Sequence, residues 1–168
     1  MSKSNYITST GHRFISTGTT AFKIHIHTPD DTIAHRSVGF VRIGKNKALK
    51  KAIKVRNALG YELWGKHWKR VLREPHLFTR LPHSLEPTVI QKPRPTKADP
   101  HRVQSYYLAR WWTYDSKGGK TYNSVLANIS RMGKLAAYNK AKRALLDAHE
   151  ENVQILSYMG RISIIKHQ

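Results

Sequence analysis

Histidine is the residue type in this chain most suited to metal or proton chemistry, with ten copies and no cysteine. His25 and His27 alternate along one segment, a spacing that could chelate zinc, and His35 could lie on a neighbouring strand. No thiolate can complete such a site, and the ten acidic residues are scattered, whereas a metal-dependent nuclease needs them clustered. We therefore predict no metal site, no cofactor, no small-molecule substrate and no catalytic residue, and interpret the imidazoles as polar contacts of a protein that is not an enzyme.

Cationic and aromatic side chains alternate in a second segment, Arg110-Trp111-Trp112-Thr113-Tyr114. Because side chains in a strand alternate with a period of two, Arg110, Trp112 and Tyr114 share one face while Trp111 points to the core. A guanidinium, an indole and a phenol on one strand face are typical of a binding surface.

Residues 21–27 alternate in the same way. Apolar side chains at every second position predict a strand face that packs in the core. The intervening positions predict a basic, imidazole-rich face made of Lys23, His25 and His27. Each half of the chain therefore offers one strand with a polar face available for a partner.

The charge of the chain indicates what that partner is. Thirty basic residues against ten acidic ones give a formal net charge of +20, which favours a polyanion. Double-stranded DNA is the expected partner because a sheet two or three strands wide fits the major groove, about 12 Å across. No window approaches the roughly 18 apolar residues of a membrane span. We therefore expect no membrane partner and an intracellular location, in the cytoplasm or nucleoid of a bacterial host or in a eukaryotic nucleus.

An internal repeat links the two halves. Sliding the chain against itself by 89 residues aligns residues 12–59 with residues 101–148 without a gap, and ten of the 48 positions are identical. The identities include Gly44 with Gly133, each of which marks a change from strand to helical periodicity. The alignment predicts an internal duplication.

Each copy predicts three strands and then a helix. The expected strands are a short one at residues 13–16 or 102–107, the alternating strand, and a third at residues 33–43 or 121–132. A stripe of small residues lets each helix lie close to its sheet. The stripes are Ala48, Ala52, Val55 and Leu59 in the first helix, and Ala137, Ala141, Ala144 and Ala148 in the second.

Prolines predict where the copies are joined. Six of the seven fall between Pro75 and Pro100, a density that interrupts helices and central strands. We therefore predict an α+β fold of two repeats, each a three-stranded antiparallel sheet packed on one α-helix, joined by a Pro-rich linker. The expected boundaries are residues 1–73 for the first module, 74–99 for the linker and 100–168 for the second module with a C-terminal extension.

Two segments outside the repeat allow simpler interpretations. Trp64 and Trp68 follow the first helix and are expected to pack in a core or between domains. The C-terminal segment from residue 152 predicts a hairpin or strands that complete the second sheet. It could instead form a homodimer contact through Ile162, Ile164 and Ile165.

The strands and helices of the two copies resemble the Apetala-two/ethylene-response-factor DNA-binding domain, in the looser form carried by phages, mobile elements and homing endonucleases. The resemblance covers most of both copies. It is carried in the first copy by His12-Arg13-Phe14, Phe22-Lys23-Ile24-His25-Ile26, Val38-Gly39-Phe40 and the helix from Ala48 to Arg56. It is carried in the second by His101-Arg102-Val103, Arg110-Trp111-Trp112-Thr113-Tyr114 and the helical segment Ala137 to Arg143.

The resemblance implies that the three-stranded sheets enter the major groove and contact bases and phosphates. By position it implies DNA contacts from Arg13, Lys23, His25, His35 and Arg36 in the first copy and from Arg102, Arg110, Trp112, Tyr114, Lys120 and Tyr122 in the second. His27 joins this set because it shares a strand face with His25.

The expected function is sequence-specific binding of double-stranded DNA, most simply by a transcriptional repressor of phage or mobile-element type, since no acidic activation segment is evident. Two alternatives stay open. One is a structural RNA-binding protein, because exposed aromatics and basic charge also suit RNA. The other is a DNA-targeting part derived from a homing endonuclease without a nuclease domain.

Overall fold

A computed structural model describes residues 8–162 of the chain. The chain divides into two compact units. Within the described residues, unit 1 comprises residues 8–81 and 158–160, and unit 2 comprises residues 82–157 and 161–162. The fold is α+β, with one three-stranded antiparallel sheet in each unit.

Strands and helices follow in the order of the chain. The strands are β1 (Ile15–Thr17), β2 (Ala21–His27), β3 (Ile33–Gly39), β4 (Thr88–Pro93), β5 (Val103–Tyr114) and β6 (Lys120–Asn128). The helices are α1 (Lys45–Trp64), α2 (Trp68–Arg73), α3 (Leu77–Arg80), α4 (Ile129–Met132), α5 (Lys134–Ala148) and α6 (Val153–Tyr158). Single 3-10 turns lie at Gly65–His67 and Glu150–Asn152. None of the helices within residues 8–162 combines the length and the apolar character needed to cross a membrane.

Sheet 1 has the strand order β1-β2-β3. Phe22, Ile24 and Ile26 of β2 are buried and define its inner face, while the side chains between them are exposed and define its outer face. Helix α1 contacts β2 and β3, and the fully buried Ala48 and Ala52 leave room for that contact. The alternation in the sequence therefore sets which side of sheet 1 is covered.

Two tryptophans complete the core of unit 1. Trp64 and Trp68 are both fully buried, so the expectation that they pack in a core is confirmed. The Trp64 indole Nε1 donates a hydrogen bond of 2.7 Å to the carbonyl oxygen of His27. The Trp68 ring stacks against Phe14 with ring centroids 5.7 Å apart. The core of unit 1 thus uses α2 as well as α1, which the pattern of three strands and one helix did not include.

Sheet 2 has the order β4-β5-β6, and β4 lies inside the segment predicted to be a linker. Thr88–Pro93 pairs with β5, so the prediction of a linker over residues 74–99 is wrong for this stretch. Its prolines are compatible with a strand because β4 is an edge strand with Pro93 as its last residue. Helix α3 also falls within the predicted linker.

The strand pairing corrects the gapless repeat alignment. Residues 102–107 do not form a separate first strand, because β5 runs without a break from Val103 to Tyr114. A shift of 89 residues would carry the pair Ile24↔Arg36 to Thr113 and Val125, but Val125 pairs with Ala109. The hairpin of sheet 2 is longer, by two residues on each strand. An even displacement keeps every side chain on its predicted face.

At the starts of α1 and α5 the 89-residue offset agrees with the structure. Both α1 and α5 start one residue after a glycine in the same positive-φ conformation, with φ 78° and ψ 153° at Gly44 and φ 81° and ψ 155° at Gly133. A side chain is strained in this conformation, so glycine is suited to both junctions. The duplication itself stays a prediction.

The buried side of α5 differs from the predicted stripe. In α5 the buried residues are Ala137, Ala141 and Leu145, whereas Ala144 is half-buried and Ala148 exposed. The buried residues recur at every fourth position, so Leu145 takes the place that the predicted stripe, with its spacings of four and three, gave to Ala144.

The C-terminal segment is helical where strands were predicted, because Val153–Tyr158 forms α6 and buries Ile155 and Leu156. Apolar residues in so short a run fit a buried helical turn as well as a strand. Ile162 is buried and so not available for the suggested dimer contact. Ile164 and Ile165 lie outside the described residues.

Candidate nucleic-acid interface

The outer face of sheet 1 is basic and rich in imidazole. The cross-strand pairs on this face are Lys23 with Ser37, His25 with His35, and His27 with Ile33, and all six side chains are exposed. Three of the four histidines and lysines come from β2 and one from β3. The structure therefore brings together Lys23, His25, His27 and His35 as the sequence predicted.

His25 and His35 form a contact pair at the middle of the β2–β3 ladder. Their ring centroids are 4.7 Å apart and the planes are nearly perpendicular, at 76°. Desolvation lowers the pKa of His25 from its ordinary value of 6.5, and His35 and Lys23 lower it further. These surroundings consequently favour the neutral form of the His25 imidazole.

His27 has a second role inside unit 1. Its ring lies 5.3 Å from that of Phe78, and its carbonyl oxygen accepts the hydrogen bond from Trp64. Both contacts tie the end of β2 to the core. His27 is thus exposed but less free to adapt to a ligand than His25.

Two predicted contacts do not belong to this face. Arg13 is buried, with its guanidinium carbon 4.7 Å from the centre of the Phe14 ring, and is therefore not available to DNA. Arg36 pairs with Ile24, which places it on the inner side of the sheet, where it is exposed because β3 is an edge strand. One Arg36 guanidinium nitrogen donates to the carbonyl oxygen of His35 at 3.0 Å.

The outer face of sheet 2 combines cations with aromatic rings. Arg110 pairs with Ser124, Trp112 with Tyr122, and Tyr114 with Lys120. The five predicted contact residues of this set are all exposed: Arg110, Trp112, Tyr114, Lys120 and Tyr122. The structure therefore assembles them on one side of the β5–β6 hairpin.

Trp112 contacts two other residues of this face. Its ring meets Tyr122 edge to face, with centroids 5.1 Å apart, and the Lys120 ammonium lies 4.9 Å above it. Trp112 and Tyr122 are 46% and 47% exposed, so nearly half of each aromatic surface faces solvent. Such a platform can stack on or pack against a base, while the cations beside it meet phosphates.

The same face extends further than the sequence prediction. Counting back by two from Arg110 gives Leu108, and its partner Leu126 is 37% exposed. These leucines add apolar surface of the kind that contacts thymine methyl groups. The period of two was sufficient to find them. Arg102, in contrast, is exposed but precedes β5, and its carbonyl oxygen accepts from the Arg94 amide at 2.8 Å.

Trp111 lies on the inner side of sheet 2, as predicted, but is only half-buried. The inner face is covered by α5, since Tyr107 on this side meets Tyr138 of α5 with ring centroids 5.5 Å apart. Trp111 lies four residues beyond Tyr107 along β5, nearer the hairpin turn, and is less covered there.

Within residues 8–162, no three side chains of His, Cys, Asp or Glu come together in an arrangement that could hold a metal ion. No protein-family model matches the sequence, and no curated protein or solved structure matches the chain. What bears on function is thus the chemistry of the two outer faces together with the charge of the chain.

Proposed function

We propose that this chain is a sequence-specific double-stranded-DNA-binding protein that uses the outer faces of its two sheets to read the major groove. The observation that carries the proposal is the exposed set of Arg110, Trp112, Lys120 and Tyr122 on one sheet face of a chain with a net charge of +20.

Each side chain of this set has a distinct chemistry toward a duplex. Arg110 can donate two hydrogen bonds to the acceptors of a guanine edge, and Lys120 can pair with a phosphate. Trp112 and Tyr122 can pack on thymine methyl groups. Adjacent strands lie about 4.8 Å apart, so a two-stranded ribbon such as β5–β6 enters a groove about 12 Å wide.

The finer architecture is part of the proposal. We infer that the two units are copies of one module, in which a sheet packs on a helix, and that the module is related to the Apetala-two/ethylene-response-factor domain. In support, each unit has three antiparallel strands followed by a helix that starts after a positive-φ glycine. A non-enzymatic, intracellular repressor of phage or mobile-element type is the simplest role for such a protein.

An RNA-binding role is the second candidate, and the exposed aromatic pair is what favours it. Unpaired bases of folded RNA stack on exposed rings such as Trp112 and Tyr122. A sequence-specific duplex-binding protein should be displaced by duplex DNA that carries its motif, whereas an RNA-binding protein should be displaced by folded RNA. One competition experiment therefore separates the two functions.

That experiment is the selection of bound duplexes from a random pool, followed by competition binding. Duplex DNA carrying the selected motif should compete at least about a thousandfold better than random duplex. Folded RNA should compete no better than random duplex. Absence of any enriched motif, or equal competition by folded RNA, would overturn the proposed function.

A further inference from the structure

Helix α1 carries a row of lysines on its solvent side. Its members occupy positions i, i+3, i+4 and i+7, a pattern that lines one side of a helix. They are Lys47, Lys50, Lys51 and Lys54, and all four are exposed. We call this set the lysine row. None of the four forms an ion pair within residues 8–162, and the first acidic residue of α1 is Glu62.

The lysine row faces away from sheet 1. Helix α1 contacts β2 and β3 and buries Ala48, Ala52 and Leu59 on that side. At 100° per residue, Lys47, Lys50 and Lys54 lie on the opposite side of the helix and Lys51 lies on its flank. A helix with its side chains is about 10–12 Å across, so helix and sheet together separate the lysine row from the outer face. A straight duplex seated on the outer face cannot reach these lysines.

Helix α5 lacks an equivalent row. At the 89-residue offset, Lys47 corresponds to Ala136 and Lys50 to Asn139, so two of the four cations are missing. The neighbouring Lys142 is bound to the Glu86 carboxylate, which also accepts from the Tyr138 hydroxyl at 2.7 Å. The row of lysines without acidic partners is thus found on α1 and not on α5. The general excess of basic residues in the chain does not explain this difference between two similar helices.

We infer that the lysine row of α1 is a second phosphate-binding surface, so that the protein bridges two DNA duplexes, one on its outer sheet faces and one on α1. The inference rests on the proposed function for the first duplex. Charge complementarity identifies the second, since four unpaired ammonium groups in a row match a phosphate backbone and contact no base edge. Binding of the second duplex is therefore independent of sequence and sensitive to salt.

The test is a bridging experiment with the full chain. A duplex carrying the selected motif is immobilised and saturated with protein, and a labelled duplex of unrelated sequence is then added. The wild type should capture the labelled duplex. The variant Lys47→Glu/Lys50→Glu/Lys54→Glu should bind the immobilised duplex but capture at least about tenfold less of the second, with the salt slope of capture reduced by about 3 for three lost phosphate contacts.

A matched variant in α5 controls for overall charge. Lys134→Glu/Lys140→Glu/Arg143→Glu changes the net charge by the same amount and should retain most of the capture. Glutamate is a good helix former and is favoured in the first turns of a helix, so the α1 variant should melt at an unchanged or higher temperature.

Three outcomes would overturn the inference. Wild-type protein that binds the first duplex but captures no second one leaves the proposed function standing and removes the bridging. Equal loss of capture in the α1 and α5 variants means that the total charge of the protein, and not the lysine row, determines capture. Undiminished capture in the α1 variant means that paired copies of the protein bridge the duplexes through their sheets. Failure of the wild type to bind the immobilised duplex would remove the proposed function as well.

Discussion

Under the proposed function, Trp112 contributes to binding but not to the core, so its effects on DNA affinity and on stability can be measured separately. Its exposed ring packs against Tyr122 and Lys120, and it lies on the sheet side opposite α5. Trp112→Ala should therefore weaken binding to the selected site by about 1–3 kcal/mol, the usual range for a stacked or packed base contact. Stability should change by no more than about 0.5 kcal/mol.

The control is its chain neighbour. Trp111 is half-buried on the side covered by α5, so Trp111→Ala should lower the free energy of unfolding and leave the outer face intact. Isothermal titration and denaturant unfolding on both variants give the comparison. Unchanged site affinity in the Trp112 variant would remove this face from the interface.

Under the proposed function, we expect His25 to make DNA binding depend on pH. Its pKa is lowered in the free protein by burial, His35 and Lys23, and nearby phosphates would raise that pKa by favouring the imidazolium. A group whose pKa is higher in the complex takes up a proton on binding, so affinity should rise as pH falls from about 7.5 through the ordinary histidine range. His25→Gln should flatten this dependence.

The exposed His101, in the turn before β5, provides the matched substitution. His101→Gln should leave the pH profile of DNA affinity unchanged. An identical slope in wild type and the His25 variant, measured by fluorescence anisotropy at constant ionic strength, would contradict a role for His25 at the phosphates.

Individual side chains show how far the sequence could predict the site. Lys23, His25, Arg110 and Trp112 follow from strand alternation alone, because a period of two needs no knowledge of partners. Arg13 and Arg36 do not follow. Arg13 is buried with its guanidinium over Phe14, whose ring stacks on Trp68, a residue distant in sequence. The side of Arg36 depends on its pairing with Ile24.

At the scale of elements, α1 and α2 are held together by a close approach at Gly60. A β-carbon at this position would lie 2.2 Å from the nearest atom of the Trp68 ring, which is buried and stacked on Phe14. Gly60→Ala should destabilise unit 1 by at least about 1–3 kcal/mol, since overpacking outweighs the gain of about 1 kcal/mol in helix propensity.

Gly39→Ala is the comparison, because a β-carbon there would meet only the carbonyl oxygen of Thr20 at 4.0 Å. Its free energy of unfolding should be close to that of the wild type. Urea denaturation of both variants measures the difference. A Gly60 variant as stable as the wild type would show that Trp68 can be displaced at no cost.

Elements were predictable where the signal is local. The alternation of β2 and the change of period at Gly44 and Gly133 are each contained in a few residues. Strand β4 was missed because prolines argue against central strands but not against an edge strand, and position in a sheet is not a local property. The register of β5 depends on hairpin length, which a gapless alignment cannot represent.

At the scale of the whole molecule, composition predicted two units but misplaced their boundary. The predicted linker began after residue 73, whereas the units divide between Leu81 and Pro82 and the second unit contains β4. The nearly neutral, proline-rich segment contains the boundary between the two units, but part of it is a strand and not a spacer. The formal charge of +20 follows from the sequence alone, and it favours a polyanion as the partner.

The two outer faces differ in chemistry, and this predicts a recognition site with two unlike elements. Lys23, His25 and His35 offer imidazole and ammonium groups, while Arg110 and Trp112 offer a guanidinium and an indole. Under the proposed function, one sheet would read only a short stretch of groove, so we expect it to discriminate poorly by itself. Joining two makes the second engagement intramolecular and raises the overall affinity beyond that of either face.

Crossing protein variants with altered sites tests this pairing directly. Arg110→Ala/Trp112→Ala should abolish the penalty for mutating one element of the selected site, about 1–3 kcal/mol per base pair, and keep the penalty for the other. Lys23→Ala/His25→Ala/His35→Ala should show the reverse. The coupling energies come from affinities of the three proteins for three duplexes, because coupling is confined to groups in contact. If both variants lose discrimination at the same element, or if only one element is ever selected, one unit does not read sequence and tandem recognition is wrong.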